Sequence, residues 1–242
     1  PMQLHTFSAL ALSAIAAVSA TTEPSSGPVV DDLFPAASGA MEIALDSEGN
    51  GPSYLELISD YAALTGQYVT YSKATRELLA GTDVQLDRSM TIAAESVQHT
   101  TEVFLAQAGL NLAIESVDGP QILRVRNVET EGRELRSATR NLNVDGAEMA
   151  RNHPAMLFSM VIPMPTTDAR LLSNSIRTMI TDPNTMQLLP AGDSSGMIIV
   201  GHGDWVYETS QWLLSVEEQS KLKAAREQEA AKQQEAGEAA AK

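Results

Sequence analysis

The chain has 242 residues, of which 43% are apolar and 19% charged, enough to bury a core in one or two ordinary domains. It carries 16 Lys and Arg against 31 Asp and Glu, a net charge of −15, which argues against nucleic acid or an anionic membrane surface as a general partner. It has no cysteine, so disulfides, thiolate metal sites and a Cys nucleophile are excluded.

From Phe7 to Val18 the chain is almost wholly small or apolar, long enough for the core of a signal peptide and too short to span a bilayer. Val18-Ser19-Ala20 places small residues at a signal-peptidase site. Residues 1–20 are therefore expected to be a signal peptide cut after Ala20, although its leading segment holds only His5 as a basic group. No later stretch is long and apolar enough to cross a membrane. Thr21 to Ala40, rich in Pro, Ser, Thr and Gly, reads as a flexible spacer.

A first folded module is expected over 41–128. Met41 to Leu45 alternates like a half-buried strand, and Asp46 to Pro52 is a turn. Ser53 and Glu56 form a capping box opening a helix with Tyr54, Leu55, Ile58, Tyr61 and Ala62 on one face, and Gly66 ends it. Gln67 to Tyr71 is β-rich, Lys73 to Ala80 reads as a short helix, and Val84, Leu86, Met90 and Ile92 alternate as a strand or hairpin. Ser96 is placed to cap a second long helix with Val97, Thr101, Phe104, Leu105 and Ala108 on one stripe, terminated by Gly109. Leu110 to Ile114 and Ile122 to Val125 then form strands around a turn at Asp118-Gly119-Pro120.

Residues 129–154 are charged and weakly periodic and read as a linker. A second module over 155–219 begins with a strand from Leu157 to Met164. Thr167 is placed to cap a helix burying Ala169, Leu172, Ile176, Met179 and Ile180, which Asp182-Pro183-Asn184 breaks. Met186 to Leu189 and Met197 to Val200 form two strands, and Asp204 is placed to cap a last helix with Val206, Leu213 and Val216 inward. The order is β-α-β-β-α, a two-layer unit. Residues 220–242, in Ala, Glu, Gln and Lys, have high helix propensity and no apolar stripe, so they read as a frayed, solvated tail. The fold class is α/β, of the α+β kind, with two small mixed sheet-plus-helix modules in tandem.

This order of elements resembles the periplasmic N-domains of bacterial secretins, as in type II secretion. In the first module Leu55-Glu56-Leu57-Ile58, Tyr61 to Gly66, Phe104 to Leu110 and Ile122 to Val125 resemble the first secretin N-domain, which is related to the short N-terminal domain of TonB-dependent signalling receptors. In the second, Val161-Ile162-Pro163-Met164, Asp168-Ala169 and Met197 to Gly201 resemble the repeated, KH-like secretin N-domain. The likeness covers about Met41 to Gln219, and the secretin pore domain is missing from it. It implies a periplasmic protein associated with the outer-membrane complex, with a secretin or inner-membrane components of the export machine as partners and self-assembly in view. The alternative it leaves open is a ligand- or signal-sensing module.

Gly192-Asp193-Ser194-Ser195-Gly196 matches G-x-S-x-G, but an apolar strand follows where a nucleophile elbow needs a helix, so the segment reads as a hairpin turn. His5, His99, His153 and His202 show no metal-ligand spacing and read as surface residues. No glycine-rich phosphate loop follows a strand. No catalytic residue, cofactor or metal is therefore expected, and the chain is not read as an enzyme. The candidate protein-contact patch is Trp205, Tyr207 and Trp212 on the last helix, since Trp and Tyr favour interfaces. The expected function is that of a docking or assembly component of a secretin-type export system.

Overall fold

The computed structural model describes residues 33–115, 121–135, 139–177, 180, 185–192 and 194–240, with side chains excepted at 132–135 and 235–240. The signal-type segment 1–20, the first part of the spacer (21–32), the turn at Asp118-Gly119-Pro120, Met179, Asp182-Pro183-Asn184 and Asp193 lie outside the described residues.

The strand β1 (Met41–Ile43) leads to helix α1 (Tyr54–Thr65), whose start follows the capping box: Ser53 Oγ accepts from the Glu56 N–H at 3.2 Å, and Glu56 Oε2 accepts from the Ser53 N–H at 2.9 Å. Gly66, at φ 68°, ends it in the left-handed conformation that glycine adopts without a Cβ clash. Then come β2 (Tyr68–Tyr71), α2 (Lys73–Gly81), β3 (Met90–Ile92), a 3₁₀ turn (Ala94–Ser96), α3 (Val97–Gln107), β4 (Leu110–Ile114) and β5 (Ile122–Asn127). Strand β1 pairs antiparallel with β3, Met41 opposite Ile92. In a separate three-stranded sheet β5 lies between β2, parallel to it, and β4, antiparallel to it. Leu57, Ile58, Tyr61, Leu79, Leu105, Leu123 and Val125 fill the space between the helices and this sheet.

Three expectations for this half are corrected. The spacer is not loose throughout, because Leu33 and Phe34 are buried and Ser38 N–H donates to Leu64 O at 2.8 Å. Val84 and Leu86 do not extend a strand. The chain at 82–84 is held against the start of α1, with Tyr54 N–H on Thr82 O and Val84 N–H on Pro52 O, and that entry segment offers one β-bridge rather than a ladder. Ser96 makes no side-chain cap, because the 3₁₀ turn holds its backbone near helical angles instead of the extended angles a capping residue needs.

The segment 129–154, read from the sequence as a linker, carries regular structure. Helix α4 (Val128–Leu135) continues from β5. Strand β6 (Arg140–Leu142) follows, then a 3₁₀ turn (Val144–Gly146) capped by Asn143, and α5 (Ala147–Asn152), which buries Ala147 and Ala150. The second sheet has the order β6-β7-β9-β8, with β7 (Leu157–Pro163), β8 (Gln187–Ala191) and β9 (Gly196–His202). Between β7 and β8 lies α6 (Ala169–Ile176), and α7 (Gly203–Ala240) follows β9. The observed order in this half is thus β-α-β-α-β-β-α, the expected unit with β6 and α5 added at its front. Strand β6 runs parallel to β7 from Arg140 opposite Phe158. Phe158, Met160, Ile162, Met197 and Ile199 point inward against Val206 and Leu213 of α7.

Helix α6 is capped by Asp168, whose Oδ1 accepts from Arg170 and Leu171 N–H, and not by its neighbour Thr167. Thr167 is drawn off by α7: its N–H donates to Glu217 Oε2 at 3.0 Å and its hydroxyl bonds Ser220 Oγ at 2.8 Å. Helix α7 begins at Gly203, so Asp204 lies in its first turn, where Oδ1 accepts from the Trp205 N–H at 2.7 Å. The helix is continuous over 38 residues, about 57 Å at 1.5 Å per residue. Packing extends through buried Glu217 and half-buried Ser220; beyond that the helix continues, almost wholly exposed as far as Gln234, where a frayed tail was expected.

The described residues between 33 and 240 form one compact unit. The two halves meet where α3 and β4 touch the chain between α5 and β7. Leu112 N–H and Asn111 Nδ2 both donate to Ala155 O, at 3.0 and 2.6 Å. Glu102 of α3 pairs with His153 Nδ1 at 2.6 Å and also accepts from the Ala155 N–H at 3.3 Å. His153, expected at the surface, is buried, and the Phe34 ring packs 4.8 Å from its own.

Candidate protein-contact surface

The surface is built around the start of α7. The chain leaves β9 through Gly201 and Gly203, and both positions are too close to their neighbours for a side chain. A Cβ on Gly203 would lie 2.0 Å from Ala150 O and 2.3 Å from His153 O, and one on Gly201 would lie 2.4 Å from Trp205 Cε3. The first contact fixes where α7 starts against α5. The second lays the Trp205 indole flat on the β9 backbone.

From that start, helical pitch distributes the side chains. Val206, Ser210 and Leu213 are buried. Trp205, Glu208, Thr209 and Trp212 share another stripe, with the two indoles two turns, about 10 Å, apart. Together with Ile176 of α6 and Leu188 of β8 they line a hollow of about 330 Å³. A second hollow, about 370 Å³, is lined by Ala106, Pro154, Met186, His202, Asp204, Trp205 and Glu208. Trp205 and Glu208 belong to both, so they form the wall between two apolar depressions. Trp212 is 39% exposed at the rim.

Tyr207 does not join this patch. It lies roughly 200° around the helix from Trp205 and packs in the seam with α5, the Arg151 guanidinium 5.2 Å from its ring centre. Of the three residues proposed from the sequence, the structure brings together Trp205 and Trp212.

A second apolar strip went unnoticed in the sequence. On the face of the second sheet away from the helices, register aligns Val161 of β7, Ile198 of β9 and Leu189 of β8. Val161 and Leu189 are about half exposed. Alternation along β7 and β9 carried the signal, but both strands have an apolar residue on each face, which hid the outward set. Strand β8 is also a sheet edge, and Pro190 removes one of its donors.

Ser194 lies in the β8–β9 turn at φ 70°, its N–H donating to Ala191 O at 2.7 Å. His202 is at the other end of β9, roughly 20 Å or more along extended chain. The geometry is that of a hairpin and does not assemble a nucleophile with a base. His99 is exposed with Nδ1 on Asn152 O, and His5 lies outside the described residues. Among the described residues no cluster of three His, Asp or Glu side chains has metal-binding geometry. No described helix is long and apolar enough to cross a membrane.

Two buried polar groups show what holds the surrounding frame. Burial, reinforced by the Glu102 charge, pushes the Tyr61 phenol well above its ordinary range, so it stays a neutral donor to Gln67 Oε1 at 2.6 Å. Glu217 is held below the usual carboxylate range: burial opposes ionisation, but hydrogen bonds from Thr167 and Thr166 outweigh it.

No family model matches the chain, and no curated protein does. Solved structures match in fold. A chain of the Klebsiella pneumoniae type II secretion system outer membrane complex, with PulD, PulS and the PulC HR domain, is 13% identical at a TM-score of 0.54, over 71% of this chain and 26% of that one. The enterotoxigenic Escherichia coli GspC–GspD complex is 11% identical over 74% of this chain and 99% of that one, at a TM-score of 0.27. The N-terminal domain of the secretin XcpQ from Pseudomonas aeruginosa is 12% identical over 73% and 63%, at 0.24. This chain spans about a quarter of the length of the Klebsiella chain. In fold, the chain resembles part of a chain of that type II secretion system outer membrane complex.

Proposed function

We propose that this protein is a non-catalytic docking or assembly component of a secretin-type export system, most like type II secretion, acting in the periplasm at the outer-membrane complex. The observation that carries this reading is the overlay on a chain of the Klebsiella complex across 71% of the sequence, which takes in both halves of the fold and not one isolated module. That complex contains PulD, PulS and the PulC HR domain, and the partners proposed here are other components of such an export machine: a secretin or inner-membrane components. The α7 groove and the open strip of the second sheet are surfaces suited to such contacts. Export through cleavage after Ala20, a first N-domain-like module over 41–128 and a KH-like second module ending near 219 belong to the same proposal.

The test is recovery of partners by the full chain from an envelope extract of a bacterium with a type II system. Enrichment of secretin or inner-membrane secretion components supports the reading; enrichment of none overturns it. Mass spectrometry of the exported protein should find Thr21 at its N-terminus.

A further inference from the structure

We propose that copies of this chain associate head to tail, the basic stretch Lys221 to Arg226 of one α7 docking in the Trp205–Trp212 groove of the next. The groove asks for a particular occupant. Its lining is apolar except at His202, Asp204, Glu208 and Thr209, and Glu208, in the wall between the two hollows, has no cationic partner among the described residues. A segment that fills it needs an apolar side chain with a cation beside it.

The chain presents such a segment on the exposed part of α7. Lys221-Leu222-Lys223-Ala224-Ala225-Arg226 carries three cations and no acid in a chain of net charge −15. Leu222 is 55% exposed, and Arg226 lies one turn further along the same face. Lys221 and Lys223 pair with Glu217 and Glu227 of their own helix at 3.7 and 3.9 Å. The Lys223–Glu227 pair is exposed on both sides and holds its cation only weakly, so Lys223 and Arg226 remain available, whereas Lys221 faces the buried Glu217.

The contact cannot be made within one molecule. Groove wall and basic stretch lie on the same unbroken helix, with Leu222 roughly 15 Å beyond Trp212 along its axis. Docking therefore takes a second copy, whose own groove stays open for a third, which is the heterologous arrangement. Acid facing base makes it salt-sensitive.

Sedimentation velocity of the full chain over a concentration series tests this without any secretion partner, so its outcome is separate from that of the proposed function. The expected result is concentration-dependent association that weakens with salt. Glu208→Lys and Leu222→Asp both alter exposed side chains, and each alone should weaken association roughly tenfold or more with circular dichroism unchanged. Each variant keeps one half of the contact intact, Glu208→Lys the basic stretch and Leu222→Asp the groove. An equimolar mixture should therefore form a one-to-one pair that grows no further. A chain that stays monomeric throughout, association untouched by either substitution, or a mixture that fails to pair would overturn the proposal.

Discussion

Glu102 of α3 and His153 at the end of α5 face each other at 2.6 Å with side chains 1% exposed or less, one contributed by each half of the fold. The remaining Glu102 oxygen accepts from the Ala155 N–H, the Gln98 amide donates to the carboxylate, and Phe34 covers the imidazole. Removing either partner leaves the other buried and uncompensated, a loss of about 3–5 kcal/mol for pairs of this kind. Glu102→Ala and His153→Ala should each lower stability by that order in chemical denaturation, with the double variant losing clearly less than the sum.

The same pair bears on cooperativity. With the halves tied through Glu102, Asn111 and Ala155, the wild type should unfold in one transition. Leu105→Ala, at a fully buried site in the first half, should shift that whole transition by about 2–5 kcal/mol. In the His153→Ala background the same substitution should move only one of two resolved transitions. Fluorescence of Trp205 and Trp212, both in the second half, read against far-ultraviolet circular dichroism separates the cases.

Glu217 makes stability depend on pH in a defined direction. Its folded carboxyl titrates below the ordinary value of 4.5, so the unfolded chain binds the proton more readily. Its contribution is complete above 4.5 and fades as the pH falls through the lower, folded value. Glu217→Gln should be less stable than the wild type near neutrality, and the gap should close on acidification. A gap independent of pH would mean that Thr166 and Thr167 are held by shape alone.

Ser194 is the one described non-glycine residue with positive φ, at 70°. For an L-residue that conformation costs roughly 1–2 kcal/mol, which glycine does not incur. Ser194→Gly should therefore raise the thermal midpoint slightly, and Ser194→Ala should leave partner binding unchanged. Loss of a hydrolytic activity in either variant would return the G-x-S-x-G match to consideration.

What the sequence disclosed is local. The capping box at Ser53 and Glu56, the glycine stops at 66 and 109 and the hairpin glycines at 192 and 196 each act within a few residues, and each has the structural role its chemistry implied. What stayed hidden depends on distant partners. Strand β6 is three residues long and exists because β7 accepts it; Leu33 and Phe34 sit in a Pro- and Ser-rich stretch and are ordered by the first core. Glu102 and His153 look like surface residues until their burial together is seen. Thr167 and Asp168 are adjacent N-cap residues, and only Glu217, fifty residues on, decides between them. The split of Tyr207 from the two tryptophans was legible from helical pitch alone, since two residues turn a helix by about 200°.

Gly201 offers a direct test of how the contact surface is placed. The Trp205 indole rests on its backbone, and a methyl there would come within 2.4 Å of Cε3 and 2.9 Å of Cζ3. Gly201 is the next-to-last residue of β9, opposite Phe158 of β7, so the strand cannot move aside there without disturbing its pairing with Phe158 and that of His202 with Leu157. The indole must give way, and with it the wall between the two hollows. Gly201→Ala should therefore keep the fold but lower stability by about 1–3 kcal/mol, the ordinary range for overpacking. Trp205 fluorescence should shift to the red as the ring gains solvent. Binding that depends on the groove should weaken, while binding through the open strip at Val161, Ile198 and Leu189 should survive. A variant with unshifted fluorescence and intact groove binding would show that Trp205 has room to slide, and that Gly201 is not what positions it.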